Sequence, residues 1–122
     1  MGKRILIVDD MESVRILLSV LLQDTDFEFL EAASGEEALI RCTSDPPPDI
    51  VLLDLFMPRM DGIQCCREIK ALSRQIKVVM LTTVGEEAYL KKAEGAGCDG
   101  YVIKPFRKAA LLETLQKLAA PI

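Results

Sequence analysis

Two all-apolar runs, Ile5-Leu6-Ile7-Val8 and Ile50-Val51-Leu52-Leu53, each stop abruptly at carboxylate: Asp9-Asp10 after the first, Asp54 after the second. Short aliphatic runs with no polar alternation read as strands buried on both faces. After the first strand (Arg4 to Val8), Val14, Leu17, Leu18, Leu21 and Leu22 recur at the spacing of one helix face. The stretch from Phe27 to Glu31 partly alternates apolar and charged residues, the pattern of an edge strand. Ser34 and Glu37 form an S-x-x-E capping box that opens a second helix. Ser44-Asp45-Pro46-Pro47-Pro48 ends that helix as a stiff connector, too short and too deep in the alternation to be a domain linker. Beyond the strand ending at Asp54, Asp61 with Gln64 opens a third helix. A fourth strand spans Lys77 to Thr82 and a fourth helix Glu86 to Glu94, with Gly95 or Gly97 as its left-handed cap. The fifth strand is Tyr101-Val102-Ile103. The last helix, from Arg107, shows Leu111, Leu112, Leu115 and Leu118 on one face.

Five strand–helix repeats predict an α/β fold: a doubly wound, flavodoxin-like five-stranded parallel sheet with right-handed crossovers and helices on both faces. The order 2-1-3-4-5 puts the charged second strand at an edge and the topological switch point between strands one and three. Residues 1–122 are expected to form a single domain, a length sufficient for one core.

With 15 Lys+Arg against 19 Asp+Glu, the net charge of −4 argues against direct nucleic-acid binding. The chain has no histidine, so any phosphohistidine chemistry must come from a partner. Cys42, Cys65, Cys66 and Cys98 contain no C-x-x-C pair and no zinc spacing, and read as reduced structural thiols. No signal-peptide pattern and no membrane-length apolar run is present, and the expectation is a cytoplasmic protein without membrane association.

Parallel neighbouring strands would bring Asp9, Asp10 and Asp54 to one sheet edge. Clustered carboxylates repel unless a cation joins them, and hard oxygen donors point to a divalent ion such as Mg²⁺. Strand four ends in Thr82 and strand five in Lys104-Pro105, so three acids, a hydroxyl and an ammonium share the edge. That set suits phosphoryl transfer to a carboxylate.

At these residues the sequence resembles the receiver domain of two-component response regulators. The blocks that carry the likeness are Ile7-Val8-Asp9-Asp10, Leu53 through Gly62, Met80-Leu81-Thr82-Thr83 and Gly97 through Phe106. The resemblance implies that Asp54 is the phosphoacceptor and that Asp10 ligates Mg²⁺ directly. It gives Asp9 a supporting role through water and makes the Phe56 carbonyl a backbone ligand. It implies that Lys104 pairs first with Asp54 and then with the phosphoryl group, that Thr82 bonds a phosphoryl oxygen, and that Tyr101 turns inward when Thr82 moves. A cis Lys104–Pro105 peptide is expected too. The implied partners are a sensor histidine kinase or a histidine phosphotransfer protein, with an effector domain or target protein downstream. Dimerisation through the helix-four to helix-five face is common in the family, but no residue pattern here requires it. Such a domain is not an enzyme beyond its own phosphorylation and dephosphorylation.

Two apolar residues flank the implied phosphate: Phe56, two after Asp54, and Val84, two after Thr82. Both are expected to hinder the in-line water of dephosphorylation. Gly95-Ala96-Gly97-Cys98-Asp99-Gly100 matches G-x-G-x-x-G but follows a helix and precedes a strand, the reverse of a dinucleotide site. Glu86-Glu87 and Lys91-Lys92 read as a solvated helix face that adjoins the output surface. Two alternative functions compete. A haloacid-dehalogenase-type phosphatase also uses a strand-end Asp and Mg²⁺, but needs a second acid where Phe56 stands. A phosphorylation-independent docking platform would not need Asp10, Asp54, Thr82 and Lys104 intact. The sequence ends directly after the last predicted helix, as either a stand-alone protein or a piece of a longer regulator.

Overall fold

The computed structural model describes residues 3–83 and 87–119. Five strand–helix pairs follow in order: β1 (Arg4–Val8), α1 (Glu12–Leu21), β2 (Glu28–Ala32), α2 (Gly35–Cys42), β3 (Ile50–Asp54), α3 (Gly62–Leu72), β4 (Lys77–Thr83), α4 (Glu87–Gly95), β5 (Gly100–Lys104) and α5 (Lys108–Ala119). All strand pairs are parallel, in the order β2-β1-β3-β4-β5. This is the doubly wound, flavodoxin-like arrangement expected from the alternation.

Two apolar layers sandwich the sheet. Alternate residues of β1, β3 and β4 (Leu6, Val8, Val51, Leu53, Val78, Met80) face α2, α3 and α4. Their neighbours Ile5, Ile7, Ile50, Leu52, Val79 and Leu81 face α1 and α5. Burial on both faces is why these strands lack polar alternation. The edge strand β2, with water on one side, has only Ala32 fully buried.

Local signals act as the sequence suggests, with small shifts. Ser34 accepts from the Glu37 amide at 3.1 Å, while the Glu37 carboxylate reaches the Ala33 amide at 3.3 Å, one residue before the cap. Asp61 accepts from the Gln64 amide at 2.8 Å. Of the two candidate glycines after α4, Gly97 takes the left-handed conformation (φ 102°), and Gly95 closes the helix itself. Lys104–Pro105 is cis, as is Asp45–Pro46 in the proline connector. Cys42, Cys65 and Cys66 are buried free thiols.

The buried face of α1 is narrower than its apolar pattern. Leu18 and Leu22 are fully enclosed, but Leu17 is 45% exposed. The five apolar positions span a wide arc, the sheet contacts its Leu18–Leu22 side, and Leu17 stands at the opposite edge. β4 runs one residue beyond Thr82, because Thr83 pairs with Lys104. Val84 and Glu86 lie outside the described residues, and Lys91 and Lys92 are exposed as expected. Among the described residues, no helix is long and apolar enough to cross a membrane.

Gly62 starts α3 directly beneath the end of β3. A β-carbon there would lie 2.4 Å from the Asp54 carbonyl oxygen and 2.9 Å from the Leu55 Cα, both rigid backbone. Gly62→Ala is expected to lower stability by about 2–3 kcal/mol in urea unfolding. Gly95→Ala, with open space around it, should be neutral or stabilising by up to ~1 kcal/mol in the same assay.

Candidate functional site

The sheet register builds the site. Val8 pairs with Leu53, so Asp9 emerges level with Asp54. Asp54 pairs with Leu81, which sets Thr82 one step beyond, and Thr83 pairs with Lys104. Carboxylate oxygens of Asp9, Asp10 and Asp54 lie within 4.8 Å of one another. Asp9 is 1% exposed and Asp54 8%, whereas Asp10 faces solvent. The Lys104 ammonium lies 3.2 Å from Asp54 Oδ1 and 3.8 Å from Asp9 Oδ2.

The buried acids are incompletely compensated. Asp9 Oδ1 accepts from the Met11 amide at 2.9 Å, but the buried Oδ2 has no hydrogen-bond partner, and Lys104 lies beyond hydrogen-bond reach of it. Arg15, the nearby guanidinium, is turned away: it donates to the Asp9 carbonyl at 2.6 Å and to Glu31 at 3.0 Å. Burial raises the Asp54 carboxyl to about 6, with the Asp9 charge pushing the same way and Lys104 opposing. Asp9 is raised too, chiefly by burial, against the Met11 amide and Lys104. An orphaned buried oxygen beside two further carboxylates is the setting that a hard divalent cation satisfies. The donor set of carboxylates therefore fits Mg²⁺ and excludes the soft-ligand chemistry of zinc or copper thiolate sites.

The structure brings together Asp9, Asp10, Asp54 and Lys104, with Thr82 buried at the same edge. The Thr82 hydroxyl makes a long contact, 3.5 Å, with the Thr83 carbonyl. Tyr101 is 48% exposed and stands away from this cluster, on the outer strand β5. After β3, Leu55 and Met57 are buried while Phe56 between them turns outward, its ring edge against Tyr89 (centroids 4.9 Å, interplanar angle 83°). Tyr89 in turn lies under the Lys92 ammonium, 5.3 Å from its ring centre. Leu55, Phe56, Tyr89, Lys92 and Arg67 line a cleft of about 600 Å³ beside the site. Val84, the other apolar flank, is outside the described residues. The thiols take no part: burial pushes Cys42 to about 11 and Cys65 and Cys66 to about 12.

Sequence reasoning missed the Met11 amide, Arg15 and Tyr89. A backbone donor has no side-chain signature. Arg15 looks like any helical cation until α1 is laid against β1, and Tyr89 is recognisable only once α4 faces the loop after β3.

A family model described as the response regulator receiver domain matches residues 5–116. The chemotaxis protein CheY of Halobacterium salinarum is 36% identical over 115 residues, covering 94% of this chain and 95% of that protein. The sporulation initiation phosphotransferase F of Bacillus subtilis is 33% identical over 117 residues, covering 96% and 94%. Among solved structures, the chemotaxis protein CheY4 of Vibrio cholerae superposes with a TM-score of 0.89 at 32% identity, over 97% of this chain and 99% of that one.

An acid whose folded pKa is raised destabilises the fold once it ionises, so that cost is absent below its unfolded pKa and fully present above the folded one. In metal-free buffer, Asp54→Asn is expected to raise stability by roughly 2–3 kcal/mol at pH 8, a shift of about two pKa units at ~1.4 kcal/mol each. The gain should fade towards zero near pH 4, where Asp54 is protonated in the folded protein. Thermal unfolding across pH 4–8 measures it.

Proposed function

The chain belongs to the response regulator receiver domain family, a receiver of two-component signalling, and from that we propose that Asp54 accepts the phosphoryl group. The observation that carries this reading is the buried Asp54 carboxylate held 3.2 Å from Lys104 among two further acids. Asp54 supplies the attacking oxygen: an O–P bond forms as the P–N bond to a donor imidazole breaks. That imidazole belongs to a sensor histidine kinase or a histidine phosphotransfer protein, since this chain has no histidine. Asp10, Asp54 and the Phe56 carbonyl would hold Mg²⁺, with Asp9 supporting it through water. When bound, the ion neutralises charge developing on the phosphoryl oxygens.

Lys104 orients the attacking carboxylate before transfer and bonds a phosphoryl oxygen afterwards. Nearly two added negative charges and three acceptor oxygens draw the Thr82 hydroxyl towards the site. The space Thr82 leaves admits Tyr101 from its exposed position, which changes the surface built from β4, α4, β5 and α5. The phosphoryl group drives this shift only as far as it favours one of the two states. That surface addresses an effector domain or target protein.

The protein is thus a signalling domain whose catalysis is confined to its own phosphorylation and dephosphorylation. We read residues 1–122 as one receiver domain, working in the cytoplasm, where four free thiols stay reduced.

Incubation with Mg²⁺ and acetyl phosphate should add one phosphate by intact-protein mass spectrometry. None should appear on Asp54→Asn or without the metal. Phosphate on the Asp54→Asn variant would overturn the assignment. Phe56→Asn, which replaces the apolar side chain two residues after Asp54 with a group able to hold a water, should shorten the lifetime of the phosphorylated form. An unchanged or slower decay would remove Phe56 as a shield.

A further inference from the structure

We infer that Gly35 and Met60 are a positioning pair that sets the loop between β3 and α3 for its metal-binding backbone carbonyl, and with it the preference of the site for Mg²⁺ over Ca²⁺. This rests on the reading of Asp9, Asp10, Asp54 and the Phe56 carbonyl as a metal site.

A backbone ligand is not aimed by its own side chain. Phe56 points outward against Tyr89, so its carbonyl is set by what anchors the chain on either side. Upstream the anchors are backbone: the Leu55 amide donates to Leu81 at 3.2 Å, and the Leu55 carbonyl accepts from Gly62 at 2.8 Å. Downstream, Met57 is buried in the core, but Pro58 and Arg59 beyond it are exposed, and Arg59 is held in the left-handed region (φ 67°), which non-glycine residues rarely adopt. Such a conformation persists only where its surroundings hold it.

Beyond Met57, the turn is held by its own hydrogen bond and by packing on α2. The Met60 amide donates to Pro58 at 2.8 Å, closing the turn. The Met60 side chain seats on Gly35, where a β-carbon would lie 2.7 Å from Sδ, 3.0 Å from Cγ and 3.1 Å from Cβ. Gly35 is an ordinary first residue of the helix after the Ser34 cap, with no positive φ that would require glycine. Its missing side chain serves the close approach of Met60. The adjacent Arg59–Glu36 pair, 3.4 Å apart, is too exposed to hold the loop by itself.

The two candidate ions differ in tolerance. Mg²⁺ demands near-octahedral geometry at short distances, whereas Ca²⁺ accepts longer and irregular coordination. A loop displaced by a few tenths of an ångström should therefore lose Mg²⁺ and largely keep Ca²⁺.

The test is calorimetric titration of the whole chain with MgCl₂ and with CaCl₂, for wild type, Gly35→Ala, Met60→Ala, the double variant and Asp10→Asn. Metal-free thermal unfolding runs alongside. The expected result is a loss of about tenfold in Mg²⁺ affinity for each single variant, the scale seen when groups behind metal ligands are removed. Ca²⁺ affinity should change far less, and the double variant should be no worse than the poorer single one. Should Gly35→Ala not fold, Met60→Ala, which only removes volume, carries the test. Wild-type Mg²⁺ affinity in Met60→Ala, or equal losses for both ions, overturns the inference while binding that depends on Asp10 leaves the metal-site reading intact. Binding unaffected by Asp10→Asn overturns both.

Discussion

Among the described residues, the Lys104 ammonium is the cation in ion-pair reach of the buried Asp9 and Asp54 carboxylates, 3.2 Å from Asp54 and 3.8 Å from Asp9. One ammonium cannot balance three acids. Burial, with the Asp9 charge adding to it and Lys104 opposing, pushes Asp54 up to about 6, and Asp9 Oδ2 stays unpaired inside the protein. The metal-free fold therefore stores electrostatic cost at the edge of its sheet. On the reading proposed above, a divalent cation would relieve it, and a phosphoryl group brought with that cation would add charge beside Lys104. On that reading, the reactivity of the site follows from this imbalance rather than from any unusual residue.

The rest of the structure keeps that imbalance from relaxing. Asp9 and Asp54 leave two central parallel strands that are apolar on both faces, so neither backbone can shift without disturbing two packed layers. The Met11 amide fixes one oxygen of Asp9. Gly62 lets α3 start directly under the Asp54 carbonyl, closing the loop on itself. Rigidity is concentrated under the acids. Phe56 and Tyr101, by contrast, expose their rings, and movement there costs little buried surface.

This distribution suits a switch. A signal written on a rigid centre has to be read by something with two arrangements of similar energy. On the proposed reading, the half-exposed Tyr101 on β5, one strand from buried Thr82, is that element. The outward Phe56, with its edge on Tyr89, joins α4 to the loop that follows Asp54.

Much of this was legible in the sequence because it follows from one-dimensional periodicity. Uninterrupted aliphatic runs ending in Asp specified buried parallel strands with acids at their carboxyl ends, and the topology rule for such sheets brought Asp9, Asp10 and Asp54 together. Ser34 and Asp61 marked helix starts because a cap acts within three residues of itself. Tertiary packing decided the rest. Leu17 fell outside the core because the arc of α1 that meets the sheet depends on where the helix lies, not on its own pattern. Arg15 turned from the acids to the Asp9 carbonyl and Glu31, and Met60 came to rest on Gly35, twenty-five residues earlier in the chain. Local sequence carries hydrogen bonds and periodicity over a few residues. Contacts between side chains on different elements depend on distances that exist only once the layers have closed.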